Sequence, residues 1–258
     1  MPTYRAEGIV LKRVDYSEAD QILTIFTKNR GKVGAIAKGS RKLTSRKGGH
    51  LELLNHSIFS LAEGKDLYVV TEAETIEPFS DIKNNLRKSS LGYYLAEFIN
   101  EFLPESQKTY PFFRLCLMAL GFLNDAEDGS ADVIIRAFEL KALSELGYAP
   151  EVRKCVVCQQ PLTWGEKNGF SAEKGGVVCS RCLAEDSLSL DEDLLELLRE
   201  TSFLPWKKVD RIKAHERPVD KLREVTQCYV EYILEKRLES PSLLERIRKG
   251  EFKPENCG

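Results

Sequence analysis

The sequence predicts a chain in two parts: a small five-stranded β-barrel, then an all-helical domain interrupted by a cysteine-rich module. Three observations carry this reading. Five short β-rich segments separated by turns occupy residues 4–77. After Pro78, apolar residues recur at helical spacing. Two Cys-x-x-Cys pairs, Cys155/Cys158 and Cys179/Cys182, stand between two of the helical stretches.

The predicted strands are 4–14, 21–27, 32–38, 56–61 and 67–75, with Asn29-Arg30-Gly31 and Glu63-Gly64-Lys65 as turns. Closely spaced short strands of this kind suit a small sandwich or barrel. Ile22, Leu23, Ile25 and Phe26 leave neither face of the second strand polar, which suits a strand wrapped inside a closed or half-closed barrel. A five-stranded OB-type barrel fits the count, and an SH3-like barrel fits the pattern nearly as well.

Leu91, Tyr94, Leu95, Phe98, Ile99 and Phe102 mark the first long helix, which Pro104 ends. A second helix is expected over 111–123. A third carries Ile135, Phe138, Ala142 and Leu146 and is stopped by Gly147. Beyond the cysteines, Ser189-Leu-Asp-Glu192 reads as a capping box opening a leucine-rich helix. Pro218 opens the next helix, with Leu222, Val225, Tyr229 and Tyr232 on its stripe, and Ser240-Pro241-Ser242 breaks it. A short helix through Leu244 and Ile247 closes the chain. The expected division is 1–79 barrel, 80–153 with 184–250 helical domain, 154–183 cysteine module and 251–258 frayed tail.

The two cysteine pairs flank 20 residues, Gln159 to Val178. A Cys-x-x-Cys turn sets two sulfurs on one side of a tight bend. Two such bends complete a tetrahedron around one Zn2+ and leave no open position, so the site is structural. The alternatives, two redox pairs or two disulfides, lack the helix-start context that redox motifs use. Gly165, Asn168 and Gly169 are expected in a turn and Gly175-Gly176 before a strand, giving a two-stranded ribbon. Of the remaining cysteines, Cys116 and Cys228 are expected to be buried and Cys257 to lie in the tail.

The formal net charge of −2 hides an asymmetry. Residues 1–80 hold 12 Lys/Arg against 10 Asp/Glu, and the remainder holds 26 against 30. Any polyanion site therefore rests on a local patch. From Lys28 to Leu51 there are eight basic residues and no acid. Lys38, Arg41, Lys42, Arg46 and Lys47 among them lie around Gly39-Ser40 and Gly48-Gly49, a cationic loop able to follow a phosphate backbone, and Lys32 is a further candidate DNA contact. Tyr4, Tyr16, Phe26 and Tyr68 are candidate platforms for base stacking. A second cluster, Lys207, Lys208, Arg211 and Lys213, is diluted by Asp210 and Glu216 and reads equally as a solvated connector.

No phosphate-binding Gly-x-x-x-x-Gly-Lys-Ser/Thr loop and no His-Glu-x-x-His is present. The histidines are scattered, and Glu72 with Glu74 reads as surface charge sooner than as a two-metal site. The expected protein is not an enzyme. A cytoplasmic location is expected, because the N-terminus lacks the apolar core of a signal peptide and no apolar run approaches a membrane span.

At this point the residues carry a resemblance. The segment Gly8-Ile-Val-Leu-Lys-Arg-Val-Asp-Tyr-Ser-Glu-Ala-Asp20, then Phe26-Thr27 with Gly31-Lys32, and Ala37-Lys38-Gly39-Ser40-Arg41 resemble the opening of the RecO family. Leu146-Gly-Tyr-Ala-Pro150 before Cys155-Val-Val-Cys158, and Gly175-Gly-Val-Val-Cys179-Ser-Arg-Cys182, resemble its zinc segment. The likeness covers nearly the whole chain. One departure is Gln159, where glycine often follows the second cysteine. The resemblance implies an OB-fold, a helical domain and an embedded zinc module. It also implies binding of single- and double-stranded DNA, annealing of complementary strands, and work with RecR, the SSB C-terminal tail and, indirectly, RecA, in a nucleoid-associated setting. Two rival readings are a zinc-ribbon protein adaptor and a metal-dependent nuclease.

Overall fold

A computed structural model describes residues 3–104, 110–127, 129–162, 165–212 and 217–240. The described chain separates into two compact units. One runs to Leu120 and includes the residues from Leu238, and the other is Gly121–Arg237. The change from strand to helix near residue 79 therefore does not end the first unit, which takes in two helices and most of a third.

In the first unit the strands are β1 (Thr3–Tyr16), β2 (Asp20–Thr27), β3 (Gly31–Ala37), β4 (His56–Ala62) and β5 (Tyr68–Glu77). They are ordered β1-β2-β3-β5-β4, and β4 pairs back on β1, so the ring of pairing closes. All the ladders are antiparallel except β3 with β5, which is parallel. Inside lie Val10, Leu23, Ile25, Val33, Ala35, Phe59, Leu61 and Val70. The apolar character of both faces of β2 has a simple cause. Leu23 and Ile25 fill the interior of the sheet, while Phe26, also fully buried, meets Phe112 and Phe113 edge-on at 6.1 and 5.4 Å. Burying one such ring contributes roughly 1.5–3 kcal/mol. Phe26 is thus not available as a stacking platform.

The short α1 (Ser80–Asn84) leads into α2 (Leu86–Phe102), which Asn85 caps by accepting from the Lys88 amide. Gly92 lets α2 approach the loop before β4: a Cβ there would stand 2.6 Å from Leu54 Cδ1. α3 is Tyr110–Asp125.

In the second unit α4 (Ser130–Glu145), α5 (Glu192–Phe203) and α7 (Val219–Leu234) pack together, with the four-residue α6 (Trp206–Val209) between the last two in sequence. Lys141 seals the C-terminal turn of α5, donating to the carbonyls of Ser202 (3.2 Å) and Leu204 (2.8 Å). Between α4 and α5 in sequence come the strands of a three-stranded sheet, ordered β7 (Gly176–Val178), β6 (Asn168–Ser171) and β8 (Leu188–Leu190).

Several expectations are corrected here. The ribbon has a third strand. Asn168 and Gly169 belong to β6, not to a turn, and a Cβ on Gly169 would meet Leu183 Cδ1 at 2.3 Å. Ser189 sits in β8, and the cap of α5 is Asp191, whose Oδ1 accepts from the Leu194 amide at 2.9 Å. Helix α7 stops at Leu234, where Glu235 turns left-handed at φ 55°, before the Ser-Pro-Ser break. Cys116 is buried, but Cys228 is exposed. The helix through Leu244 and Ile247, Cys257, the 251–258 tail, Lys213 and Glu216 lie outside the described residues.

Candidate metal centre and cationic groove

The four cysteines converge. The sulfurs of Cys155, Cys158, Cys179 and Cys182 all lie within 4.8 Å of one another. Two local folds bring them there. Val156 donates to the Val177 carbonyl at 2.8 Å, laying the first Cys-x-x-Cys turn alongside β7. Glu151 pairs with Gly176 through Glu151 N to Gly175 O (3.0 Å) and Val177 N to Glu151 O (2.8 Å). Gly176 is needed at that approach, since a Cβ would stand 2.4 Å from the Glu151 carbonyl oxygen. The first turn closes with Gln159 N donating to Cys155 O at 2.9 Å, and the second with Cys182 N donating to Cys179 O at 2.9 Å.

The fit to a metal can be tested on these atoms. A tetrahedron with bonds of about 2.3 Å has edges near ~3.8 Å, and the Cys158 and Cys179 sulfurs are 3.7 Å apart. That distance is far too long for a disulfide. Burial pushes the Cys155 thiol up, but the amides of Cys158, Cys179 and Val157 outweigh it and hold the group at about 6. The Cys179 thiol is also lowered: burial acts against ionisation, and the amides of Arg181 and Cys182 overcome it. The first cysteine of each turn is thus shifted toward the thiolate, the form that ligates metal. The donor set fits a four-coordinate ion with no open position.

The eight-cation run divides sharply. Lys28 is held by Glu7 at 2.7 Å. Arg30 lies over the Tyr4 ring, 3.9 Å from its centroid. Lys32 is buried, and its ammonium donates to the Asn100 carbonyl near the end of α2, so it does not join the loop surface. Arg41 is exposed but bonded to Asp15 at 3.3 Å and to the Glu18 carbonyl. Lys47 donates to the Val70 carbonyl at 2.8 Å, and burial lowers its pKa. The side chains of Lys38, Lys42 and Arg46 have no hydrogen-bond or ion-pair partner among the described residues, and all three are exposed.

These three line a groove of about 630 Å³ between the loop and the outer face of β1, β4 and β5. Arg5 of β1 contributes from the floor, across from Ser60 and Glu72 in register. Arg5 was missed in the sequence. Its signal was the alternation of β1, where it is exposed beside buried Ala6. The lining holds Arg5, Lys38, Lys42, Arg46 and Lys47 against Glu72 and Glu74, a net of +3. Of the aromatic candidates, Tyr16 is 52 % exposed at the end of β1, while Tyr4 and Tyr68 are half-buried and meet edge-on at 5.4 Å. In the second unit Lys207, Lys208 and Arg211 are exposed on and just after α6.

A five-stranded sheet bearing a cationic groove, joined to a helical unit in which four thiols lie close enough to hold a metal ion, defines a modular protein. The Recombination protein O N terminal family matches residues 1–79 and the Recombination protein O C terminal family matches residues 83–242. The chain belongs to the RecO family. It is 35% identical to the DNA repair protein RecO of Acetivibrio thermocellus over 249 residues, covering 95% of this chain and 98% of that one. It is 32% identical to that of Pelotomaculum thermopropionicum (96% and 95% covered) and 32% to that of a Roseiflexus species (95% and 86%). Among the described residues no helix is long and apolar enough to cross a membrane.

Proposed function

We propose that the chain is a non-enzymatic recombination mediator in DNA repair. In this reading it binds single- and double-stranded DNA, anneals complementary strands and helps load RecA together with RecR. Family membership supports the repair and recombination role, and the relatives carry DNA repair in their names. The observation that carries DNA binding is the set of uncommitted cations, Lys38, Lys42 and Arg46, ranged along one groove with Arg5. Such cations neutralise phosphates and release counterions without reading sequence, which leaves the bases free to pair.

The closed pairing order of the five strands, with β3 parallel to β5, supports an OB-type barrel for the N-terminal part. Zn2+ is the ion for the four cysteines, because soft thiolates in a closed tetrahedral set select it. When bound it supplies a crosslink between the two Cys-x-x-Cys turns, and the residues around it do no chemistry on DNA. Lys207, Lys208, Arg211 and Lys213 form a second surface for a second strand. The SSB tail is a further partner, and the working location is the nucleoid in the cytoplasm.

A fluorescence annealing assay with and without SSB, run beside an anisotropy titration, tests the reading. Expected are salt-dependent binding to any sequence and faster annealing without ATP. Absence of both overturns it in favour of a protein adaptor. Cleavage of labelled DNA with magnesium or manganese would make it a nuclease.

A further inference from the structure

Leu43 stands at the tip of the cationic loop with 106 % of its reference accessibility, while the next most exposed large apolar side chain among the described residues, Leu86, has 56 %. A single exposed leucine is ordinarily unremarked. The placement of this one is specific. Ser45 N donates to the Lys42 carbonyl at 2.8 Å, so Leu43 and Thr44 are the corners of a tight turn. Corners of this kind usually carry polar residues, Gly or Pro. The loop is pinned on both sides of the turn. Gly39 N donates to Asp20 Oδ1 (2.8 Å), Arg41 N donates to the Ala19 carbonyl (3.0 Å), and Lys47 holds the Val70 carbonyl. The fold therefore holds an apolar side chain in water between Lys42 and Thr44, both of which line the groove, while Leu43 itself does not.

We propose that Leu43 is an apolar wedge that enters between neighbouring bases of DNA and unstacks them. It rests on the DNA-binding reading above: phosphates held by Lys38, Lys42 and Arg46 bring the adjoining base step to the leucine. The gain from burying one leucine is of the same order as the cost of opening one base step. Wedging splays bases that are to meet a complementary strand, so it links binding to annealing. An anionic membrane also attracts a basic loop, but one leucine is too small an anchor for stable attachment.

The test uses the full chain and a single strand carrying 2-aminopurine, whose fluorescence rises on unstacking, with anisotropy read from the same sample at fixed salt. Expected is a fluorescence rise on binding for the natural chain, largely lost in Leu43→Ala and kept in Leu43→Met. Affinity of Leu43→Ala falls about 3- to 10-fold. Its salt slope is unchanged, because no phosphate contact is removed. Circular dichroism checks that the variant is folded. An equal rise in Leu43→Ala, or binding without any rise in the natural chain, overturns the wedge and leaves DNA binding standing. No anisotropy change at all overturns DNA binding and the wedge with it. Leu43-dependent binding to phosphatidylglycerol vesicles without a rise on DNA assigns the leucine to lipid and overturns the proposal.

Discussion

The Cys158 sulfur lies 3.7 Å from the Cys179 sulfur, the edge that joins two Cys-x-x-Cys turns 21 residues apart. One zinc per chain is expected by elemental analysis. Cys155→Ser or Cys179→Ser is expected to lose it and to destabilise the second unit, since site formation in small zinc modules contributes on the order of 10 kcal/mol. Metal-free protein with an unchanged melting curve would contradict this.

Gln159 follows the second cysteine at φ 62°, a left-handed conformation that side chains other than glycine rarely adopt. Its amide closes the turn on Cys155, and its Nε2 holds the Val156 carbonyl at 3.0 Å. Gln159→Gly is expected to be neutral or to stabilise by up to ~1 kcal/mol, and the β-branched Gln159→Val to destabilise by roughly 1–2 kcal/mol. Thermal melts of the metal-loaded chain check the order Gly, Gln, Val.

Lys38→Ala, Lys42→Ala and Arg46→Ala combined are expected to weaken DNA binding about equally for all sequences. On single strands the slope of log affinity against log salt becomes shallower by ~0.7 for each lost contact. Lys32→Ala, which removes the ammonium from the Asn100 carbonyl, is expected to lower stability and leave that slope alone. Anisotropy titrations across a salt series separate the two, and an unchanged slope in the triple variant would reduce the loop to a solvated surface.

Neutralising Lys207, Lys208, Arg211 and Lys213 together is expected to slow annealing while largely sparing binding to one strand. Asp210, adjacent in sequence, weakens the field there, so the binding effect is small. Wild-type annealing rates in this variant would require the second strand to arrive on another copy of the protein.

Glu7 accepts from Lys28 at 2.7 Å and pairs with His56 Nε2 at 3.1 Å. Burial pushes the Glu7 carboxyl up, but Lys28 and His56 outweigh it and hold it below the usual 4.5. Burial holds His56 below the usual 6.5 against the pull of Glu7. Both folded pKa values are depressed, so the stability each contributes is full above its usual value and is lost as pH falls. Melting temperature is expected to decline below pH 6.5 and further below 4.5. Glu7→Gln should start lower at neutral pH and lose less below 4.5, and parallel curves would contradict the assignment.

Strand positions were legible because alternation and turn residues act locally: 21–27 in the sequence became Asp20–Thr27. The convergence of the four cysteines was legible because Cys-x-x-Cys spacing sets the turn by itself. What escaped depended on distant partners. A charge run reads the same whether a lysine faces water or, like Lys32, seals the carbonyl of Asn100. Phe26 looked like a platform because only the arrival of Phe112 and Phe113 buries it. Ser189 and Asp191 both offer a capping oxygen, and the choice fell to Asp191 because Ser189 is taken by pairing with Gly169. β8 and α6, at three and four residues, are too short to show a period.

The strand ring also orders events in time. The pairs that complete it, Thr3 with Ala62 and Ala35 with Tyr68, join positions far apart along the chain. Such contacts pay their loop-closure entropy before any reward and form slowly. The segment from Lys38 to Lys47 lies inside both spans. The groove lined by Lys38, Lys42 and Arg46 is therefore expected to take shape only once these long-range pairs have closed.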